Sequence, residues 1–386
     1  MTTARTDNLY HMLSDEERMF CDVLERLVTE RIAPRAAEVD ETASFVHEQL
    51  AILAEAGMMG ANLPEQFGGS GISASALLRS VEIVAAGCGS TASALTAHFL
   101  ATDSILMGGT DEQKARWLPK AATGEALGAF ALTEPTAGSD PADMKTRATR
   151  EGQRWHLKGS KCFISNGGVA DFLVVFAVTD PGAGHRGISA FILPNDTEGF
   201  QSGPPERTMG LKGGHVFSLS LDCHLPVDAL LGNEGTGFRT AMQVLDNGRV
   251  EVAAQCIGMA SAALGAAQSY ARDRIVGGEA LAAKQGIRWM LADMALELRA
   301  ARLMALEAAR QRDLGERFSE AAAMAKLKAS EVADMVADTA LQIHGGYGYT
   351  RDFPIERLTR DLRIMRIYEG SSEIQRNIIA GHLLAR

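Results

Sequence analysis

The spacing of apolar residues changes twice along this chain, and these changes limit the possible folds more than any other feature. Residues 14 to 128 have apolar positions three and four apart, which predicts helices. Between 129 and 235 the pattern becomes short runs bounded by turn residues, such as FLVVFAV (Phe172 to Val178) and the alternating FSLSLD (Phe217 to Asp222), which are typical of strands. Helical spacing returns from 236 to 386. We therefore predict an α+β fold with an N-terminal helical domain (1–128), a small middle β domain (129–235) and a C-terminal helical domain (236–386).

Several local signals refine this organisation. The stretch SDEE, from Ser14 to Glu17, predicts a capping box at the start of the first helix. Gly57 is placed to end a second helix. Further along, Leu291, Met294, Leu298, Ala301 and Ala305 predict one apolar stripe on a C-terminal helix.

Composition and charge exclude several classes of function. The formal charge of −10 argues against a nucleic-acid partner. Apolar runs are interrupted well before 18 residues, so we expect no membrane span. The N-terminal residues match neither a secretory signal nor an Arg-rich transit peptide. The five cysteines have no metal-ligand spacing, so we expect no metal site and a cytoplasmic, bacterial location.

The common cofactor and hydrolase motifs are missing from the sequence. No GxGxxG follows a predicted strand, and there is no GxxxxGK, HExxH or GxSxG. A Rossmann site, a P-loop, a zinc protease and an α/β-hydrolase therefore have no support.

Two segments around the predicted sheet have residues suited to ligand binding. AFALTEPTAGSD combines Thr133 with a predicted turn at Gly138-Ser139, and a plain turn is the alternative. KCFISNG places Phe163 and Ser165 two apart, so ring and hydroxyl would share one face of a strand. The alternative for Phe163 is an ordinary core aromatic.

Three segments in the C-terminal region contain candidate charged or flexible groups. In LDNGR, Asp246 and Arg249 are neighbours on a helix, and a solvated surface pair is the alternative. Arg274 could bind a phosphate, or could simply be solvated. Glycines in LQIHGGYGYT allow close approach of a ligand, or a helix C-cap followed by a turn.

Glu369 lies in IYEGSSEIQR, between a tyrosine and a glycine, before a predicted helix. It is either a solvated charge or a base. Ser372 to Gln375 fits a capping box, and Gly370 would let the chain bend before it. An exposed glutamate, with a pKa near 4.3, is a weak base near neutral pH, so burial by a substrate would have to raise the pKa for Glu369 to act as one.

Taken together, these segments resemble the acyl-CoA dehydrogenase family over almost the whole chain. The resemblance runs from GMMGANLPEQFGGSG (57–71) and GTDEQKARWLPKAATGE (109–125) through ALTEPTAGSD, KCFISNG, GNEGTGF (232–238) and LDNGR to IHGGYGYTRDFPIERLTRD and IYEGSSEIQR. It implies an FAD enzyme with a C-terminal four-helix bundle that forms homotetramers or dimers. It also implies removal of a Cα proton and a Cβ hydride from an acyl-CoA, with electrons passed to electron-transferring flavoprotein. Small residues in 85–98 look most like those of short-chain and short branched-chain members.

The resemblance also assigns residues. Glu369 would be the catalytic base. The substrate would contact Ser139, Asp246, Arg249 and Gly370. FAD would contact Phe130, Leu132, Thr133, Gly138, Ser139, Phe163, Ile164, Ser165, Arg274, Gln285, Gln342, Ile343, Gly345, Gly346, Ser371 and Glu373, some of them from a neighbouring subunit.

Departures from the family pattern leave more than one function open. Some members take the base from the position before the arginine of LDNGR, but Gly248 stands there, which favours Glu369. Val276 and Gly277 stand where the family usually has Gln or Thr followed by Phe, and loss of that aromatic residue puts FAD packing in doubt. An oxidase of this fold would typically extend further at the C-terminus. The sequence is also consistent with a non-catalytic acyl-CoA-binding or flavin-binding scaffold, and with a dehydrogenase for a cyclic or polar acyl-CoA.

Overall fold

The N-terminal part of the protein is helical. The structure, a computed structural model, describes residues 9–385. Its first α-helices are α1 (Asp15–Leu27), α2 (Ala36–Thr42), α3 (His47–Glu55), α4 (Ala74–Gly87), α5 (Gly89–Gly108) and α6 (Asp111–Ala122). The predicted capping box is confirmed, because Ser14 and Glu17 cap each other's backbone N–H at the start of α1. Gly57 follows α3 with φ +73°, as expected of a residue that ends a helix.

The middle part is a seven-stranded sheet. Its strands are β1 (Gly128–Ala131), β2 (Arg147–Glu151), β3 (Arg154–Ser165), β4 (Phe172–Val178), β5 (Ile188–Pro194), β6 (Phe200–Ser202) and β7 (Val216–Pro226). They lie in the order β1-β4-β2-β3-β7-β6, and β5 also pairs with β4, in antiparallel register. The predicted run FLVVFAV is β4, and FSLSLD lies within β7.

Both faces of β4 are covered. Phe172, Val174 and Phe176 pack in a core with residues of α5 and α6, whereas Leu173 and Val175 pack in a second core within the β domain. A strand that is buried on both faces reads as a continuous apolar run, which is the pattern of FLVVFAV. The sheet is therefore held firmly against the N-terminal helices.

The C-terminal part is helical again. Its elements are α7 (Gly237–Asp273), a short hairpin of β8 (Ile275–Val276) and β9 (Glu279–Ala280), α8 (Gln285–Asp313), α9 (Ser319–His344), α10 (Ile355–Leu362) and α11 (Ser372–Leu384). Helix α7 packs against α8 and α9 and also against α4 and α5. Met294, Leu298, Ala301 and Ala305 of α8 are buried, which confirms the predicted stripe, and Leu291 is half-buried.

Helix α7 is long and apolar enough to cross a membrane by composition alone. Its most apolar window is nevertheless 78% buried inside the protein. Buried Arg249 and Glu251 also lie on this helix. We therefore interpret α7 as the central core helix of the C-terminal domain.

Candidate active site

Glu369 lies at a sharp bend between α10 and α11. Its φ is +51°, and that of the next residue, Gly370, is +92°. The bend predicted at Gly370 is confirmed, since glycine accepts positive φ readily. A positive φ at glutamate is unusual and is found where surrounding structure enforces it, often at functional sites.

Two side chains from outside this bend hold it in place. Lys326 of α9 donates to the Gly370 carbonyl at 2.7 Å. Gln375 Nε2 lies 2.9 Å from the same oxygen and 3.1 Å from the Glu369 carbonyl. The capping box predicted for Ser372 to Gln375 is wrong, although the helix does begin there: Ser371 is the N-cap, without a side-chain cap, and Gln375 reaches back to the bend instead.

The carboxyl group of Glu369 is in an unusual environment. The residue as a whole is partly exposed, but its Oε2 is buried and has no hydrogen-bond partner among the described residues. Burial raises the pKa of Glu369 to about 7, while the nearby charges of Lys326 and Arg249 oppose that rise. The sequence-based expectation was that substrate would cause this rise, but burial within the protein alone is sufficient.

Gly248 of α7 makes room for this carboxyl group. A Cβ at position 248 would overlap Oε2 of Glu369 and lie 2.8 Å from Leu100 Cδ2 of α5. Glu369 and the position before Arg249 thus face the same small volume. A carboxylate can occupy it from either side of the pocket, but not from both.

Asp246 and Arg249 form a pair that is largely buried. Their side chains are 15% and 8% exposed and hydrogen-bond to each other, and Asp246 also accepts from Ser319. The alternative of a solvated surface pair is therefore wrong. Burial lowers the pKa of Arg249, and its Nε is buried with no hydrogen-bond partner in the described part of the chain. An unpaired guanidinium donor of this kind suits an anionic or carbonyl-rich ligand.

A buried lysine organises the segment that leaves β1. Lys161 Nζ donates to the Leu132 carbonyl at 3.0 Å and to Glu134 Oε1 at 2.8 Å. The backbone N–H of Cys162 also donates to the Thr133 carbonyl at 3.0 Å. Thr133 is thereby placed beside β3. Sequence reasoning missed Lys161 and Glu134, although a lysine facing the core of an apolar strand could have indicated them.

The turn in this segment differs from the prediction. Glu134 and Ala137 exchange backbone hydrogen bonds, so the tight turn is at Pro135-Thr136 rather than at Gly138-Ser139. Gly138 and Ser139 form an exposed bend just after it. Proline suits the second position of a tight turn because its φ is already set.

Phe163 breaks the regular geometry of β3. Its φ is +55°, the register against β7 shifts between Lys161 and Ile164, and its side chain is exposed (68% for the residue). The core-aromatic alternative is therefore wrong for Phe163. Simple alternation does not apply across this bulge, so the argument that Phe163 and Ser165 share a face fails as stated. Ser165 is partly exposed, whereas Ile164 is buried in the core within the β domain. Leu132 is buried in the other core, which the sheet shares with α5 and α6.

A crevice of about 490 Å³ opens at the far end of α7. Among the predicted residues it is lined by Arg274, Ile343, Gly345 and Gly346. Its other lining residues are Tyr270, Val276, Leu281, His344, Tyr347 and Thr350. Gly345 has φ +59° and ends α9, so the C-cap alternative is also correct. Gln285 and Gln342 are exposed and do not line the crevice.

The remaining predicted residues lie on β1 and at the start of α11. Phe130 is half-buried and packs on Phe176, with ring centroids 4.9 Å apart. Ser371 is the N-cap residue of α11, and a hydrogen bond with its side chain lowers the pKa of Glu373. No metal site was predicted, yet Glu151, His156 and His224 on the sheet bring three potential ligand atoms within 4.8 Å of one another.

Comparison with known proteins accounts for nearly the whole chain. Family sequence models for the acyl-CoA dehydrogenase N-terminal, middle and C-terminal domains match residues 14–125, 129–223 and 235–384. An acryloyl-CoA reductase (NADH) of Anaerotignum propionicum is 43% identical and covers 97% of this chain and 96% of its own.

Two solved structures share the fold. The butyryl-CoA dehydrogenase of Megasphaera elsdenii is 39% identical with a TM-score of 0.94, covering 96% of this chain and 99% of its own. A chain in a structure on the electron transferring flavoprotein of Acidaminococcus fermentans is 40% identical with a TM-score of 0.95, covering 97% and 99%.

This protein is an oxidoreductase with the three-part fold of helical, β and helical domains. It belongs to the acyl-CoA dehydrogenase family, whose members are FAD-dependent. Family membership favours an enzyme over the non-catalytic scaffold considered above.

The described residues fit FAD. The crevice offers Arg274 for phosphate. Apart from the adjoining residues in the chain, none of residues 9–385 comes within 4 Å of where a Cβ would stand on Gly345 or Gly346, so a ligand can approach the backbone closely. At the sheet, Phe163 presents an exposed ring beside the exit of β1. Val276, one of the two residues that depart from the family pattern, lines the crevice and is 44% exposed. The two glycines after it have φ of +63° and +84°, as a two-residue hairpin turn requires.

The pKa of Glu369 leads to a prediction about pH. A base acts only when ionised, so we expect kcat/KM for an acyl-CoA to rise with pH through a midpoint near 7.

The contribution of Glu369 to the free energy of unfolding has the opposite dependence on pH. Because the folded-state pKa exceeds the ordinary 4.5, this acid contributes stability that is fully present below about pH 4.5 and is lost as the pH rises through about 7.

Lys326→Met tests the electrostatic cause of that pKa. Loss of the opposing positive charge should move the midpoint of the rate profile upward by about 1 pH unit. Lys328→Met is the matched control, because Lys328 is on the same helix but is partly exposed and pairs with Glu297. A profile that is equally shifted in both variants, or in neither, would contradict this assignment.

Proposed function

We propose that this protein catalyses α,β-dehydrogenation of a short-chain or short branched-chain acyl-CoA to the trans-2-enoyl-CoA, with Glu369 as the base. The observation that carries the proposal is the Glu369 carboxyl group, which is buried against Gly248 and has a pKa of about 7. A carboxylate of this pKa is far more basic than an exposed one and is still ionised in part at neutral pH. When bound, FAD supplies the acceptor for the hydride that leaves Cβ.

The bend at Glu369 and Gly370 would itself have a role, because its backbone would both position the base and polarise the thioester. Loss of the Cα proton becomes possible when charge on the carbonyl oxygen is stabilised at the same time. The Glu369 and Gly370 carbonyls are held by Lys326 and Gln375, so the peptide between α10 and α11 has a fixed orientation. We propose that the backbone of Glu369 and Gly370 contacts the thioester group.

The other predicted residues are assigned by the same proposal. Asp246 and Arg249 would bind the CoA moiety, with Ser139 at the exposed bend. The flavin ring would lie against Phe130 to Thr133, Gly138 and Phe163 to Ser165. The phosphates and adenosine of FAD would contact Arg274, Gln285, Gln342, Ile343, Gly345 and Gly346. Ser371 and Glu373 would complete the FAD site.

A short acyl group is supported by the side chains beside Glu369. Gln255 Nε2 donates to Thr96 at 3.0 Å, and Tyr368 donates to Gln255 at 3.2 Å. These hydrogen bonds join α5, α7 and the bend, so they would limit the depth of the acyl site and exclude a long acyl chain. The similar butyryl-CoA dehydrogenase also acts on a four-carbon acyl group, as its name states.

We also propose electron-transferring flavoprotein as the acceptor and a homotetramer as the assembly. The first rests on the similar chain in the Acidaminococcus structure. The second is supported by Trp289, Leu296 and Leu303, which are 61%, 65% and 48% exposed at seven-residue spacing on α8. Such an apolar stripe suits contact with a second copy. All five cysteines are buried and outside disulfides, in agreement with the predicted cytoplasmic location.

Anaerobic titration of the purified FAD-loaded protein tests the proposed reaction. We expect butyryl- or isobutyryl-CoA to bleach the visible flavin band and to yield the 2-enoyl-CoA, with octanoyl-CoA much less effective. Free CoA is the control and should cause no bleaching. Bound flavin that no acyl-CoA bleaches would contradict the proposal and favour the scaffold alternative.

The reverse reaction is a second candidate, and the similarity to the acryloyl-CoA reductase favours it. The same base would then return a proton to Cα. Mixing the protein with NADH and acryloyl-CoA distinguishes the two directions. NADH consumption by the purified protein without added flavoprotein would support the reductase.

A further inference from the structure

Glu251 of α7 is a buried acid that the proposed reaction does not use. The residue is 2% exposed. Neither of its carboxyl oxygens has a hydrogen-bond partner among residues 9–385. A buried polar group without a partner is unfavourable by a margin that proteins rarely tolerate, so its retention points to a partner that is not part of the chain.

The position of Glu251 places it beside the proposed acyl site. Gly248, Glu251 and Gln255 are three and four residues apart and therefore share a face of α7. On one side of Glu251 is Gly248, which adjoins Glu369 and Leu100. On the other side is Gln255, which is bonded to Thr96 and Tyr368.

The neighbours of Glu251 favour its neutral form. Burial raises its pKa well above the usual range, and the charge of nearby Asp103 adds to this, against Arg312. Asn62 and Asn247 donate to the two oxygens of Asp103 at 2.7 Å and 2.6 Å, and no hydrogen bond joins Asp103 to Glu251 among the described residues. The raised pKa favours the protonated form of Glu251, which offers an O–H donor and a carbonyl acceptor.

We propose that Glu251 binds a hydroxyl group on the γ-carbon of the acyl chain, so that the substrate is a short 4-hydroxyacyl-CoA. This inference rests on the proposed dehydrogenation and names its substrate class. Glu251 is three residues, ~4.5 Å of helix rise, from Gly248, the position that adjoins the base. A hydroxyl three bonds beyond Cα, with one hydrogen bond added, spans that separation.

The chemistry of the reaction is unchanged by this hydroxyl. The Cα proton goes to Glu369 and the Cβ hydride to the flavin, which gives a 4-hydroxy-2-enoyl-CoA with the C–O bond intact. A methyl group in place of the hydroxyl would leave Glu251 buried and unpaired. Sites that pair with a substrate hydroxyl discriminate strongly against analogues that lack it.

Binding in a variant that cannot turn over separates this inference from the reaction itself. In FAD-loaded Glu369→Gln, calorimetry would compare 4-hydroxybutyryl-CoA with pentanoyl-CoA, which has a methyl group in place of the hydroxyl. We expect the hydroxyl compound to bind about tenfold more tightly, or more. Adding Glu251→Leu should abolish or reverse the preference, whereas Glu251→Gln, which still forms hydrogen bonds, should retain most of it.

Thermal unfolding gives a readout that does not depend on substrate. We expect the Tm of Glu251→Leu to exceed that of wild type, because an unpaired buried acid is replaced by an apolar side chain of similar volume. Equal binding of the two acyl-CoAs, or a lower Tm for Glu251→Leu, would overturn the proposal. Tight pentanoyl-CoA binding with flavin bleaching in wild type would overturn this inference and leave the dehydrogenase proposal intact.

Discussion

Replacing Glu369 with glutamine is expected to lower kcat for dehydrogenation by about 10³- to 10⁴-fold. Glutamine has nearly the same shape, so the bend held by Lys326 and Gln375 should survive. It cannot accept the Cα proton, however. Single-turnover flavin reduction under anaerobic conditions would measure the chemical step directly, while the visible spectrum reports FAD content.

The matched control is Glu198→Gln, a change at an exposed glutamate between β5 and β6. It should leave the rate of flavin reduction and the FAD content unchanged. The Glu369 variant should also lose the decline in stability between about pH 4.5 and 7, because it has no acid to ionise. Flavin reduction at the wild-type rate in Glu369→Gln would place the base elsewhere.

Gly248→Ala is expected to reduce activity by about 10²-fold or more, because the added methyl group would overlap Oε2 of Glu369. The backbone around Glu369 has little freedom to give way, since both carbonyls of the bend are hydrogen-bonded. The neighbouring substitution Ala254→Gly, on the same helix, is a control for general loosening of α7. Wild-type kcat in Gly248→Ala would show that the carboxyl group is not confined there.

A relocated base gives the complementary test. Because position 248 and Glu369 face the same volume, Gly248→Glu combined with Glu369→Gly should recover part of the activity lost in Glu369→Gly alone. An activity about tenfold above that of the single variant would be large enough to detect. No gain would mean that a carboxylate on α7 cannot reach Cα in this protein.

Much of the fold could be predicted because it depends on local spacing. The period of three and four in 14–128 and after 236 reflects helices with one buried face, and FLVVFAV is continuous because β4 is buried on both sides. The capping box at Ser14 was correct because both partners lie within one helical turn. The capping box predicted at Ser372 was wrong because the Gln375 side chain donates to the carbonyls of Glu369 and Gly370 instead of to a helix-capping partner. The residues next to Gln375 in the sequence do not indicate that these carbonyls are within reach.

Other features of the site required the three-dimensional structure. Phe163 and Glu369 both have positive φ, which neither residue type indicates. Lys326 and Gly370 are 44 positions apart and meet only when α9 packs beneath the bend. Likewise, Glu251 is one acid among 48 in the sequence, and only its burial sets it apart.

The order of helices and strands and the motifs follow from residues read along the chain, because each is a matter of spacing or residue type. The choice of Glu369 over position 248 follows from the family resemblance that those motifs carry. The raised pKa values of Glu369 and Glu251 follow from neither. Both depend on water being excluded by helices that are distant in sequence, and on which charges remain nearby. Desolvation is a property of packing, so the tertiary structure alone decided which acids of this chain have raised pKa values.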